Sequence, residues 1–167
     1  TKDEWMLLQF KFLMNEFPVT DTSRKIKQII TNRQKEGKWV CAVPYGYRIT
    51  NTKEMTYEID PPAAEIVREI FRLYNNGWGY KKIANHLTDQ GVATPRANEI
   101  ARKEALGKTT KRTARQVWSL ATIQGILSND FYIGTLRQKK YRRTSINGTD
   151  EQVDGEEQLV FENAHTP

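Results

Sequence analysis

The chain has 167 residues, of which 38% are hydrophobic, so it is long enough for about one domain with a substantial core. Its formal net charge is +6 and its sequence pI is near 9.4, which favours a polyanionic partner. One cysteine and two histidines exclude a disulfide framework and cannot complete a four-ligand zinc site. No apolar run approaches the roughly 20 residues of a membrane span, and no signal-peptide pattern is present. We therefore expect a soluble, cytoplasmic protein without metal or cofactor.

Two helices are predicted at the N-terminus. Residues 3–17 carry apolar side chains around much of the circumference, so this helix needs a partner, either a missing domain or another copy of the chain. Pro18 then acts as a kink or as an early position of the next helix. A cap at Asp21, Thr22 or Ser23 starts that second helix, which runs to about Glu36 and is closed by Gly37. It is basic, which suits phosphate contacts or simply a solvated surface.

The middle of the chain predicts a hairpin followed by two amphipathic helices. Strand-like runs at 38–47 and 55–59 flank a turn. Asp60 and two prolines open a helix that ends at about Gly77, and a second helix runs from about Tyr80 to Asp89. The sequence GVATPR then indicates an extended turn, and a basic insert with few apolar residues occupies 97–115.

The stretch from Trp118 to Gly134 predicts a short helix with a polar outer face. Leu120, Ile123, Ile126 and Leu127 recur at helical spacing, and Ser119, Thr122, Gln124 and Asn129 lie off that stripe. Hydroxyl and amide side chains can read base edges or bind phosphate. The second helix of a helix-turn-helix, with a stretched turn, explains the pattern, although an ordinary surface helix has the same periodicity. Trp118 is expected in the core.

The positive charge of the chain is concentrated around this helix. Between residues 96 and 143 there are twelve Lys and Arg against three acids, whereas residues 147–167 contain six acids and no Lys or Arg. A strand is predicted at 131–136, and a hairpin with an Asn147-Gly148 tip returns through Leu159, Val160 and Phe161. The basic surface is therefore local, as a binding face should be.

Seven short segments, in this order and spacing, resemble the large serine recombinases, that is, the serine integrases and transposon resolvases. They are DTSRKI, KEGKWV, VPYGYR, IDPPAAEIVREIFRLYNNGWGYKKIANHL, GVATPR, WSLATIQGILSNDFYIG and ENAHTP. The resemblance covers nearly the whole chain. It implies an α+β fold, mainly helical, with a stretched helix-turn-helix and a small antiparallel sheet, preceded by a long N-terminal helix.

The same resemblance divides the chain into two parts. Residues 1–36 correspond to the long helix that leads out of a catalytic domain, and residues 37–167 correspond to the recombinase DNA-binding domain, cut before a zinc ribbon. The chain starts at Thr1 without Met and ends in a loop-like segment, so we expect a fragment. Ser23 resembles the linker-helix motif rather than the catalytic serine of the family. This fragment is therefore not expected to be an enzyme, although its parent is a site-specific recombinase of a bacterium, phage or mobile element.

The implied function is sequence-specific binding of double-stranded DNA at half of an attachment site, with the parent dimeric on DNA and tetrameric in synapsis. The resemblance lays the helix from Arg24 to Lys35 over DNA near the crossover and the segment from Lys38 to Arg48 along the minor groove. The candidate DNA-binding residues are Arg24, Lys27, Lys35, Lys38, Arg48, Lys81, Lys82, Lys111, Arg112, Arg115, Ser119, Thr122, Gln124, Arg137, Lys139 and Arg142. Of these, Ser119, Thr122 and Gln124 are expected to read bases, and the cations to contact phosphates.

Two other functions fit the same residues. A stand-alone transcriptional regulator would also use a helix-turn-helix, and an RNA-binding or protein-interaction module would use exposed aromatic side chains. Scattered carboxylates and two isolated histidines give no pairing pattern for an active site.

Overall fold

The computed structural model describes residues 2–143 and 148–166, with side chains in the first helix described at 5, 6 and from 21 onward. The described residues form five α-helices and three pairs of short antiparallel strands, which confirms the α+β class. In chain order the elements are α1 (Lys2–Lys35), β1 (Tyr47–Asn51), β2 (Thr56–Ile59), α2 (Pro61–Asn75), α3 (Tyr80–Asp89), α4 (Pro95–Ala105), α5 (Leu120–Leu127), β3 (Leu136–Gln138), β4 (Tyr141–Arg143), β5 (Asp150–Gln152) and β6 (Leu159–Phe161).

The chain divides into two compact units. The terminal unit consists of Thr1–Cys41 and Ile133–Pro167, and the central unit consists of Ala42–Tyr132. No helix of the described residues is both long enough and apolar enough to cross a membrane.

The first helix of the terminal unit is continuous. The prediction that a second helix begins after Pro18 is wrong, because α1 continues through this position and Asp21 does not cap a new helix. A kink at Pro18, the other alternative, stays a prediction. Instead Asp21 pairs along α1 with Arg24 at 2.9 Å and Lys25 at 2.7 Å, as expected three and four residues apart. Most of the apolar side chains predicted for the N-terminal half lie outside the described residues.

The end of α1 follows the sequence prediction. Gly37 adopts φ +71°, a left-handed conformation that favours glycine after a helix. The backbone N–H of Lys38 donates to the Arg33 carbonyl at 3.0 Å, and that of Gly37 donates to the Gln34 carbonyl at 3.1 Å. These bonds satisfy carbonyls that the last helical turn leaves open.

The C-terminal part of the terminal unit contains two strand pairs. β3 pairs with β6, so the predicted return through residues 159–161 is confirmed, and β4 pairs with β5. The tip of the hairpin between β4 and β5 was predicted at Asn147-Gly148, and Asn147 lies outside the described residues. The strand predicted at 131–136 is wrong, because residues Asp130–Ile133 form a 3₁₀ turn and the strand starts only at Leu136. Asn129 holds this turn, since its Oδ1 accepts a hydrogen bond from the Phe131 N–H at 3.1 Å.

The central unit begins with the hairpin of β1 and β2. Tyr47 pairs with Ile59 and Arg48 with Glu58 in its register. The strand predicted at 38–47 is wrong, because strand geometry begins only at Tyr47. Pro44 lacks a backbone donor and Gly46 takes φ +97°, so the chain turns here before it can pair.

Three helices of the central unit, α2, α3 and α5, pack on one another in every pairing. Their buried stripes meet in a core formed by Val67, Ile70, Leu73, Ile83, Ala84, Leu87, Trp118, Ile123 and Ile126. The helices predicted from Asp60 and Tyr80 are confirmed, and they contribute most of these residues. The core therefore fixes how α5 is presented to solvent.

The helix α4 was missed by the sequence analysis. Thr94 is its N-cap and accepts a hydrogen bond from the Ala97 N–H at 3.3 Å, while Pro95 occupies the first helical turn. No residue of α4 is buried, and Ile100 is its one large apolar residue, so few apolar positions mark it as a helix. The basic insert is therefore partly helical rather than an irregular loop.

Candidate nucleic-acid interface

The helix α5 is held in the central unit by the residue just before its cap. Trp118 is 3% exposed, and its indole Nε1–H donates to the Val92 carbonyl at 2.8 Å. The Trp118 backbone N–H donates to the Thr88 hydroxyl at 3.0 Å. Both partners lie at or just after the end of α3, so Trp118 joins α3 to α5 across the long insert. The prediction that Trp118 belongs to the core is confirmed.

The two ends of the insert are tied by one side chain. The Thr94 hydroxyl caps α4 and donates to the Arg115 carbonyl at 3.1 Å. Thr94 is 6% exposed, so this bond lies away from solvent, where an unmade hydrogen bond costs more. The closure holds the backbone of Arg115, which precedes α5 in the chain, at the start of α4 and leaves Arg115 exposed.

The first turn of α5 is capped by Ser119. Its Oγ accepts a hydrogen bond from the Thr122 N–H at 3.1 Å, and the two hydroxyl oxygens lie 2.8 Å apart. Ser119 is exposed and Thr122 is half-buried. Both predicted base-reading hydroxyls therefore already have a partner within the helix.

The outward face of α5 differs from the predicted one. Ile123 and Ile126 are buried as expected, but Leu120, assigned to the same stripe, is 48% exposed. Trp118 already fills the core beside this end of the helix, so the buried stripe does not extend to the first helical position. The exposed positions are Leu120, Ala121, Gln124, Gly125 and Ser128. Gln124 is thus the one predicted base-reading residue that stands on the outward face without a hydrogen bond from its side chain to another described residue.

A groove of about 710 Å³ opens beside the start of α5 in the central unit. Its lining combines apolar side chains with cations from α4 and from the segment before α5, among them Arg96, Lys108 and Arg115. Two further lining cations are engaged, since Arg102 pairs with Asp60 and Lys103 pairs with Glu99. The Lys103 ammonium group also lowers the pKa of the Glu99 carboxyl. The sequence analysis did not select Arg96 or Lys108, and the Thr94-Pro95 capping signal would have placed them around a helix.

One wall of this groove is polar. The Asn98 Nδ2–H donates to the Tyr45 hydroxyl at 2.9 Å, and burial raises the pKa of Tyr45 to about 12. The phenol therefore stays protonated at neutral pH. Tyr45 also packs edge-on against Trp118, with ring centroids 5.9 Å apart, so its ring lies against the core.

A second exposed basic pair stands at the start of α3. Lys81 and Lys82 are exposed, and the Lys82 ammonium lies 4.0 Å from the centre of the Trp78 ring. Trp78 packs edge-on against His86, with centroids 5.2 Å apart. Lys82 is therefore oriented by an aromatic ring, whereas Lys81 forms no ion pair with another described residue.

The remaining candidates of the central unit have different environments. Arg48 is bound to Glu58 across the hairpin, with Nε–H donating to Oε1 at 2.7 Å. Lys111 and Arg112 are exposed in the segment between α4 and α5, and neither has an ion pair within the described chain. Arg48 would have to give up its ion pair with Glu58 to bind a phosphate, whereas Lys111 and Arg112 have no ion pair with a described residue to break.

The other seven candidates belong to the terminal unit. On α1, Arg24 pairs with Asp21, Lys27 Nζ–H donates to the Arg143 carbonyl at 3.3 Å, and Lys35 is exposed. Just after α1, Lys38 pairs with Glu36 at 2.8 Å, and this ammonium group lowers the pKa of the Glu36 carboxyl.

Arg137 lies half-buried in β3, and Lys139 is exposed with φ +59° just after it. Arg142 in β4 lies 3.9 Å from both Glu151 and Glu157, which is the edge of ion-pair range. Ion pairs between exposed side chains, such as those of Arg142, contribute little to stability, so a phosphate can replace the carboxylates at small cost.

The described residues contain no group of three or more His, Cys, Asp or Glu arranged to hold a metal ion. Cys41 is free and exposed.

A sequence model of the family described as Recombinase matches residues 61–167, which is more than half of the chain. The chain therefore belongs to the Recombinase family. This membership confirms the resemblance found in the sequence, supports a role in site-specific recombination and implies interaction with DNA. No solved structure matches the chain.

Proposed function

We propose that this chain binds double-stranded DNA sequence-specifically at half of a recombination attachment site. In this proposal, α3 and α5 form the stretched helix-turn-helix, and the outward face of α5 enters the major groove. The main support for this proposal is that Trp118 fixes α5 on the central unit. In this position Gln124 is exposed, next to a segment rich in unpaired cations. Membership of the Recombinase family gives that surface its substrate class.

The packing of three helices supports this arrangement. In helix-turn-helix proteins one helix is buried against two others and presents its free side to the groove. Here α5 packs on both α2 and α3, and its free side runs through positions 120, 121, 124, 125 and 128. The insert lengthens the connection, but Trp118 and Thr94 close it.

Phosphate binding is the second part of the proposal. Lys111, Arg112 and Arg115 precede α5, and Lys81 and Lys82 stand at the start of α3. Cations at the borders of a recognition helix contact the backbone and position the protein, whereas side chains on the helix discriminate bases. The proposal assigns further phosphate contacts to those of the remaining candidate cations whose ion pairs are weak or missing. These candidates are Arg24, Lys27, Lys35, Lys38, Arg48, Arg137, Lys139 and Arg142.

The division of the parent enzyme follows from the sequence resemblance. Residues 1–36 are proposed to lead out of a catalytic domain and residues 37–167 to form the DNA-binding domain. Strand cleavage by a serine nucleophile then belongs to another domain of a serine recombinase, which is dimeric on DNA and tetrameric in synapsis. The activity of this chain is binding and orientation of the site.

The test is selection from a random-sequence duplex pool at about 50 and about 200 mM salt. The proposal predicts enrichment of a half-site of about a dozen base pairs and a salt slope near −0.9 per phosphate contact. Single-stranded RNA of the same length is the competitor that separates an RNA-binding module. A pool that stays random at both salt concentrations contradicts sequence-specific binding by this chain.

A further inference from the structure

Leu120, the first residue of α5, is a large apolar side chain on the surface of the central unit. Leu120 is 48% exposed, while Ile123 and Ile126 of the same helix are buried at 0% and 6%. The core at this end is completed by Trp118, so the Leu120 side chain leaves much of its apolar surface in water. Leu120 therefore presents apolar surface that is available to a partner outside the core.

Leu120 stands on the same side of α5 as Gln124. The two residues are four positions apart, which places their side chains one turn apart on a helix. Ala121 and Gly125 lie beside them and are small, so the outward face carries one large apolar group and one amide. The hydroxyls of Ser119 and Thr122 are bonded to each other and contribute less to this face.

The residues around Leu120 favour DNA over a protein as its partner. A protein partner would require a broad apolar patch, whereas the other exposed positions of α5 are small or polar, and Val117 before the helix adds only one further large apolar side chain. The segment leading into α5 carries exposed Lys111, Arg112 and Arg115, whose charge is complementary to phosphates. In the major groove the apolar feature is the 5-methyl group of thymine, and the amide of a glutamine pairs with adenine.

We propose that Leu120 is a specificity-determining residue that contacts the 5-methyl group of a thymine in the half-site, next to the base read by Gln124. This inference rests on the proposed function, since it requires α5 to enter the major groove. It adds a preference for thymine that the hydrogen-bonding residues of the helix do not supply.

The experiment removes the methyl group from the DNA and the side chain from the protein. Each thymine of the selected half-site is replaced in turn by deoxyuridine, which keeps base pairing and lacks only the methyl group. The wild-type chain should lose about 3- to 10-fold in affinity at one or two positions, the effect of an apolar contact of methyl size. Leu120→Ala should show the same loss on the thymine duplex and no further loss on the deoxyuridine duplex.

Two controls separate recognition from folding. Leu106→Ala truncates another exposed leucine of the central unit and should keep the full deoxyuridine penalty. Leu120→Met keeps an apolar side chain and should retain most of the loss in affinity on the deoxyuridine duplex. Alanine is the best helix former, so Leu120→Ala is expected to fold, and thermal melting verifies this.

The outcomes distinguish this inference from the proposed function. A selected half-site that binds equally with thymine and deoxyuridine at every position overturns the inference and leaves DNA binding intact. A full deoxyuridine penalty in Leu120→Ala, or a half-site without thymine, also overturns it. Failure to enrich any half-site overturns both the inference and the proposed function.

Discussion

Ser119 and Thr122 are bonded to each other at the first turn of α5, with their hydroxyl oxygens 2.8 Å apart and the Ser119 Oγ accepting the Thr122 N–H at 3.1 Å. This arrangement satisfies one of the backbone donors that every helix start leaves open. The same hydroxyl cannot serve fully as a cap and as a reader of bases. The first prediction follows from this competition.

Ser119→Ala removes the cap and should lower the free energy of unfolding by about 1 kcal/mol. Because α5 then frays, affinity should fall alike on the selected half-site and on random duplex. Chemical denaturation and binding to both duplexes measure the two effects. Thr122→Val is the control, since it keeps shape and the backbone bond to Ser119. A change in preference at one base position without loss of stability would show that Ser119 reads DNA directly.

Trp118→Ala should lower the free energy of unfolding by about 3 to 5 kcal/mol, because it empties a core site and breaks the bond to Val92. Since Trp118 fixes α5 on α3, specific DNA binding should be lost together with the fold. Urea denaturation measures the free energy of unfolding of Trp118→Ala and of the control variant Trp78→Ala. Trp78 is only half-buried, so its removal should cost clearly less. Equal costs for the two tryptophans would contradict the central place of Trp118.

Arg115→Ala should weaken binding to the half-site and to random duplex by the same factor and reduce the salt slope by about 0.9. The reason is that its exposed side chain borders α5 rather than standing on its outward face. Titration at several salt concentrations measures the slope. Arg68→Ala removes the same charge from the exposed side of α2, where Arg68 pairs with Glu65, and should leave the slope unchanged. An equal change in both variants would mean that net charge alone governs binding.

The helices with apolar stripes were predictable from the sequence, and the segments without such stripes were not. α2, α3 and α5 bury regular sets of residues, and Asp60 was predicted at the start of α2, whereas Ser119, which caps α5, was assigned to base reading. α4 contains one large apolar residue, Ile100, so no apolar stripe was recognised there, although Thr94 before Pro95 is a capping signal. The second helix predicted after Pro18 was wrong, because helical geometry continues from Lys2 to Lys35.

The candidate site was predictable in its chemistry and less so in its geometry. Composition and charge located the cations around α5, but not which of them are already paired, as Arg48 is with Glu58. The exposure of Leu120 depends on Trp118 filling the core beside it, a tertiary effect that helical spacing does not contain. Sequence patterns therefore indicated the reading helix, and packing determined which of its residues face outward.

Gln124→Ala should change preference at one base position by about 1 to 3 kcal/mol and leave binding to random duplex nearly unchanged. Its side chain is exposed on α5, and an amide can make two hydrogen bonds to one base edge. Competition with half-sites altered at single positions measures the effect. Gln116→Ala, an exposed glutamine before the helix, is the matched control and should keep the preference. An equal loss on specific and random DNA would remove Gln124 from the reading set.

Gly125→Ala should separate stability from binding, because it improves the helix while filling space on its outward face. Nothing lies within 4 Å of the position that an added Cβ would take, so the methyl group fits the free chain. Alanine inside a helix is favoured over glycine by about 1 kcal/mol, which corresponds to a rise in melting temperature of about 2–4 °C.

Affinity for the half-site should nevertheless fall, since glycine at this position allows the DNA edge to approach the helix backbone beside Gln124. Gly155→Ala adds the same methyl group in the terminal unit, where nothing lies within 4 Å either, and should leave affinity unchanged. Melting curves and half-site binding of both variants give the comparison. A stabilised Gly125→Ala that binds as tightly as the wild type would mean that DNA does not approach this face closely, and the proposed position of α5 in the major groove would then be wrong.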